Sequence, residues 1–189
     1  SSAASDVYKR QALLFLTTGF EEIEALSPVD VLRRACVDVK TVSLEADRTV
    51  LSAHHVPVTA DLLFEEIEDK EVDALILPGG TERINSHEKL KIKLKQAAQN
   101  SNTLLAAICA APMVFGELGL LQGKKATSYP GYEKYLHGAQ LVKQKVVEDG
   151  VYITANGPAA AIDFSLKLTE RLAGLEHCQE VAKILFAEE

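Results

Sequence analysis

No apolar run in this chain approaches the length of a membrane-spanning helix, so no segment reads as crossing a bilayer. Neither GxGxxG nor the Walker pattern occurs, which leaves a nucleotide cofactor without support. Cysteine is sparse. Three among 189 residues, an odd number, do not read as a disulfide framework, and a reducing, cytoplasmic setting is the expectation. Positive charge is in the minority: 20 Lys and Arg against 27 Asp and Glu leave a net −7, which argues against binding nucleic-acid phosphates. There is no internal repeat, low-complexity tract or interdomain linker. Residues 1–9 lack a long apolar core and a cleavage-like context, so no secretory signal is read there. The expectation is a disordered leader or expression remnant, followed by one domain over residues 10–189.

What is present suits a sizeable buried core: 47% hydrophobic and 25% charged residues. Gln11 to Thr17 and Val72 to Leu77 are apolar without alternation, as in strands buried on both faces. Val37 to Leu44 alternates and reads as a strand nearer a sheet edge. Leu51 to Val58 reads as a small irregular hairpin with Pro57 at an edge, and Leu62 to Ile67 as one helical turn. Leu26, Val29 and Leu32 mark an amphipathic helix, with acids early and arginines late. Pro28 is expected to set its start or a kink near Ser27, leaving Glu21 to Glu24 as an entry turn. A lysine-rich helix is expected over Asn85 to Gln99. Leu141 to Glu148 and Val151 to Thr154 flank Asp149-Gly150 as a hairpin. Two helices close the chain, from Ala159 to Leu172 and from Glu176 to Phe186. Strands alternating with helices predict an α/β three-layer sandwich around a mostly parallel sheet, with its site beyond the carboxyl ends of the strands.

Four of those ends carry distinctive residues: Gly19 to Glu24, Pro78-Gly79-Gly80, Cys109 and Tyr129-Pro130. Thr103 to Ile108 has strand character and Pro112 suits the first turn of a helix, so Cys109 falls on a strand-to-helix corner between small residues. Free N–H groups and the dipole at a helix start favour a thiolate. Cys109 is thus a reactive thiol, or else a small buried hydrophobe. Glu24 is either a buried, protonated acid donating to that sulfur or one of three solvated first-turn acids with Glu21 and Glu22. Gly79-Gly80 either exposes an N–H that forms an oxyanion hole with the Ala110 N–H, or simply ends a strand. His54 and His55 read as surface residues because no Cys or acid lies at ligand spacing. Cys36 and Cys178 read as packing or bystander residues, and no metal is expected.

The segments GFEEIEALSPVDVLRRA, DALILPGG, AAICAAP and the final NGP helix, in this order, resemble the ThiJ/PfpI superfamily, and within it the DJ-one branch. The resemblance spans about residues 10–186. It implies a flavodoxin-like, class I glutamine amidotransferase-like fold and a cofactor-free homodimer. It also assigns roles. Cys109 matches the family's easily oxidised cysteine, Glu24 its protonated glutamate, and Gly80 and Ala110 its pair of N–H donors. Arg34 matches a residue near the site at the subunit interface. Tyr129 stands where the family often has His, so any step needing an imidazole is in question. Ala110 stands where protease-like members have His, which disfavours a Cys-His peptidase. The close at Glu189, without the further C-terminal helix of the human member, resembles the bacterial members. The function implied is a glutathione-independent glyoxalase or deglycase acting on 2-oxoaldehydes such as methylglyoxal. A redox sensor working through a Cys109 sulfinate and a chaperone-type dimer are the alternatives.

Overall fold

A computed structural model describes residues 9–187. The expectation for residues 1–9 therefore lies outside the described residues, except for Lys9. The elements run β1 (Gln11–Leu16), α1 (Glu22–Arg34), β2 (Asp38–Ser43), β3 (Thr49–Leu51), β4 (Pro57–Thr59), β5 (Leu62–Leu63) and β6 (Ala74–Leu77). They continue with α2 (Glu88–Ala98), β7 (Leu104–Ile108), α3 (Pro112–Glu117), β8 (Lys125–Ala126), β9 (Gln140–Leu141), β10 (Val146–Asp149) and β11 (Tyr152–Ala155). Helices α4 (Ala161–Ala173) and α5 (Leu175–Ile184) come last.

Seven strands form the main sheet in the order β10-β11-β7-β6-β1-β2-β5. All neighbours are parallel except β10 and β11, which form the hairpin around Gly150. The continuous apolarity of β1 has the expected cause. Ala12, Leu14 and Leu16 pack with Leu32 of α1 and Phe164 and Leu168 of α4 on one side. Leu13 and Phe15 pack with Leu90 and Leu94 of α2 and Phe115 of α3 on the other. A strand's period of two thus feeds two dry layers, and the architecture is an α/β sandwich on a mostly parallel sheet.

Local expectations fail where side chains make their own turns. Helix α1 starts at Glu22, not near Ser27, and carries Pro28 inside it. The Glu21 carboxylate caps it by accepting the Glu24 N–H at 2.9 Å. Buried Ala25, Val29, Val31 and Leu32 then offset the one helical bond that proline removes. Residues 62–67 split into β5 and a 3-10 turn at Phe64–Glu66, because Glu66 Oε2 accepts the Leu63 N–H at 2.7 Å. Strand β2 does lie near the edge as expected, with only the two residues of β5 beyond it. Helix α2 begins at Glu88 because the His87 ring accepts the Leu90 N–H at 3.1 Å and ends the preceding 3-10 turn, Glu82–Ser86. The run from Leu141 to Glu148 is two strands: β9 pairs with β8, and β10 with β11.

Candidate active site

The corner at Cys109 is present. It follows β7, precedes α3 and has φ +67°, a left-handed conformation that costs a non-glycine residue on the order of 1–3 kcal/mol. Two backbone bonds hold it there. The Cys109 N–H donates to the Ala155 carbonyl at 2.8 Å, and the Cys109 carbonyl accepts the Tyr129 N–H at 2.8 Å. The residue is buried, only 9% exposed.

Glu24, in the first turn of α1, is fully buried. Its Oε1 accepts the Gly79 N–H at 3.0 Å. Its Oε2 is buried without a nitrogen or oxygen partner; the thiol of Cys109 is the group it meets. A buried oxygen in that position is satisfied once it carries a proton and donates it to sulfur. The fit is close: a Cβ on Gly79 would lie 2.7 Å from the Cys109 Cβ and 2.8 Å from Glu24 Oε1. Gly80 has φ +97°, and a Cβ there would lie 2.7 Å from the Gly19 carbonyl oxygen, so only glycine fits. The backbone N–H groups of Ala110 and Gly80 both donate toward the Cys109 sulfur.

Burial, then the charge of Glu21, pushes the Glu24 carboxyl up to about 7 against the pull of its Gly79 and Cys109 hydrogen bonds. Burial and the Glu24 carboxylate push the Cys109 thiol up to about 12, while the Ala110 and Gly80 N–H groups pull it down. The helix start alone therefore does not make this thiol acidic. The two groups share their protons: the pair gives up one near pH 7 and holds the other far above it. The Ala110 and Gly80 N–H groups favour the single charge on sulfur, and the burial of Cys109 favours it on Glu24.

A second network positions the glycine turn. Glu45, just past β2, accepts the Thr17 hydroxyl at 2.9 Å, the Thr18 N–H at 2.8 Å and a two-pronged contact from Arg83 at 3.1 and 3.0 Å. Burial opposes its ionisation, yet these donors hold its carboxyl down at about 2. Arg83 stands three residues after Gly80, so the clamp ties the turn to the ends of β1 and β2. Reading the sequence by its motifs missed Glu45; its place at a carboxyl strand end was the available signal.

Tyr129 is about half exposed and joins the site through its backbone bond to Cys109. Arg34 does not join it within one chain. It lies in the last turn of α1, ten residues or about 15 Å along the helix from Glu24, and pairs with Asp30 at 2.6 Å. His54 is exposed, as expected, although acids do reach it. The fold brings acids to it from the start of α1, and the ligand atoms of Glu21, Glu22 and His54 lie within 4.8 Å of one another. The Glu22 carboxylate is already engaged, by the Ser52 hydroxyl, the His54 N–H at 2.7 Å and the His54 ring at 2.8 Å. Cys36 is exposed, and the Cys178 thiol donates to the Leu166 carbonyl at 3.2 Å; neither touches this site.

The DJ-1/PfpI family model matches residues 10–171. The chain belongs to the DJ-1/PfpI family. Protein dj-1beta of Drosophila melanogaster is 38% identical over 92% of this chain and 95% of its own length. The crystal structure of Drosophila melanogaster DJ-1beta superposes with a TM-score of 0.91 at 34% identity, covering 96% of this chain and all of that one. Oxidised Toxoplasma gondii DJ-1 gives a TM-score of 0.89 at 35% identity, over 94% of this chain and 98% of its own. Deglycase PH1704 of Pyrococcus horikoshii is 34% identical over 78% of this chain and 90% of its length. Two Arabidopsis thaliana relatives, DJ-1 homologs B and A, are longer: the chain spans 40% and 47% of them at 37% and 36% identity. Among the described residues no helix is long and apolar enough to cross a membrane.

Proposed function

We propose that this family member converts small 2-oxoaldehydes such as methylglyoxal to 2-hydroxy acids, using Cys109 and Glu24 without cofactor, metal or glutathione. The sulfur attacks the aldehyde carbon, and the carbonyl electron pair moves onto oxygen, facing the Gly80 and Ala110 N–H groups. Glu24 gives that oxygen its proton, completing a hemithioacetal. The carboxylate so formed takes the hydrogen of the former aldehyde carbon while the hydroxyl proton passes to the neighbouring carbonyl oxygen, and Glu24 then returns its proton to that neighbouring carbon, giving a thioester. Water then hydrolyses the thioester, releasing the hydroxy acid and the thiol. One water is consumed and no electron donor is needed.

The observation that carries this reading is the orphaned, buried Glu24 Oε2 facing a thiol held on a left-handed corner. Lactate formed from methylglyoxal by the protein, and by its Cys109→Ala variant, tests it. Turnover no faster than in the variant removes the reading. The name of the Pyrococcus relative supports the related deglycase chemistry on the same groups. The oxidised Toxoplasma relative supports a second reading, in which Cys109 becomes a sulfinate held by Glu24 and the two N–H groups. Mild peroxide followed by intact mass separates them: the sensor reading requires two oxygens on Cys109 with Cys36 and Cys178 untouched.

The assembly we propose is a homodimer. Ile23 and Leu26 of α1, Leu51 and Val56 of the β3–β4 hairpin and Ile162 of α4 are 39–54% exposed. Helix α1 packs on α4, and the hairpin is tied to the start of α1 by Gly19 N–H to Leu51 and Ala53 N–H to Phe20 bonds, both 2.8 Å. These apolar side chains therefore lie on adjoining elements, as a face for a second copy would. Arg34, at the far end of α1, would meet a site only across that face.

A further inference from the structure

The loops on either side of Cys109 are joined to each other. Tyr132 follows Tyr129, whose N–H is pinned to the Cys109 carbonyl; the Tyr132 N–H in turn donates to the Tyr129 carbonyl at 3.1 Å. The Tyr132 hydroxyl donates to Glu82 Oε1 at 3.1 Å. Glu82 stands two residues after Gly80, whose N–H faces the sulfur. The far side of this turn is fixed by the Arg83–Glu45 clamp. The Tyr132–Glu82 bond is therefore the weaker of the two ties holding the turn, a single contact with an exposed carboxylate. Burial and then the bond to Glu82 raise the Tyr132 pKa, which keeps the phenol a donor. Clefts of 580 and 590 Å³ are lined by Arg10 and Leu172 at the opposite ends of the strands, and one of 490 Å³ is lined by Ser128, Pro130 and Glu133 beside the Tyr129–Tyr132 loop.

We propose that the Tyr132–Glu82 bond is a strap across the mouth of the Cys109 site. It limits the thiol to small free carbonyl compounds and excludes carbonyl adducts carried on folded proteins. The inference rests on the reading above for the identity of the substrate, but its test needs no turnover. The rates of Cys109 modification by N-ethylmaleimide and by fluorescein-5-maleimide share one chemistry and differ in bulk. Both are followed by mass on the Cys109 peptide, with exposed Cys36 as internal reference. The small reagent is expected to be favoured at Cys109 far more than at Cys36. Tyr132→Phe and Glu82→Ala are each expected to raise the bulky rate relative to the small one by roughly three- to tenfold, the worth of one hydrogen bond. Equal size preference at the two cysteines overturns the proposal, and so does a ratio unchanged in both variants. Because modification is independent of catalysis, a protein that fails to convert methylglyoxal leaves this result to stand or fall by itself.

Discussion

Replacing Glu24 by Gln removes the titration at the centre of the site and keeps the shape. The folded carboxyl is raised from its ordinary 4.5 to about 7. The folded state therefore binds this proton more tightly than the unfolded chain does. Below about pH 4.5 the acid is neutral in both states and the burial is not penalised. As pH climbs through 4.5 and past 7, the unfolded chain ionises first and stability falls. Over that window the loss amounts to about 3 kcal/mol. The variant has nothing to ionise at this position, so its stability relative to the parent should rise by about that amount between pH 4 and 8. Urea unfolding at about pH 4, 6 and 8 measures it. Far-UV circular dichroism is the suitable probe, since the chain has no Trp. A parent-to-variant difference that stays flat across that range refutes the claim that Glu24 is protonated by burial.

Gly80→Ala forces a side chain onto φ +97° and against the Gly19 carbonyl; a loss of about 2–4 kcal/mol is expected in thermal melts, together with a damaged site. Glu45→Gln weakens the clamp on Arg83. The carboxylate's stabilisation is present above 4.5 and lost as pH falls toward 2, so the variant should be about 1–3 kcal/mol weaker at neutral pH and show a shallower acid transition. Unchanged acid unfolding would count against the clamp. Ile23→Glu places a charge on the apolar face of α1, and light scattering should report half the parent mass while the thiol remains reactive. A parent that is already monomeric disproves the proposed dimer.

Much of the sheet was legible because its strands are buried on both sides, so Gln11 to Thr17 and Val72 to Leu77 read as plain apolar runs. Cys109 was legible for a related reason: a strand run, two alanines and Pro112 leave little room for anything but a corner. Glu24 stood out weakly as the last acid before Leu26 and Pro28, and more firmly beside the family motifs. The different fates of Glu21, Glu22 and Glu24 are tertiary. Glu21 caps the helix, Glu22 meets His54 and Ser52 of the hairpin, and Glu24 turns inward to Gly79. Pro28 misled because its helix is held by a cap seven residues upstream and by packing behind it. Glu45 had only its place past a strand end to mark it, and Arg83 and the Tyr132–Glu82 pair were invisible, because each contact joins loops far apart in the chain and no spacing encodes them.

The most direct test is the pH dependence of Cys109 alkylation in the parent and in Glu24→Gln. If the thiol and the acid share a proton, the parent rate should rise with a midpoint near pH 7, and the variant midpoint should move upward by more than one pH unit. Identical midpoints in the two proteins would contradict the account.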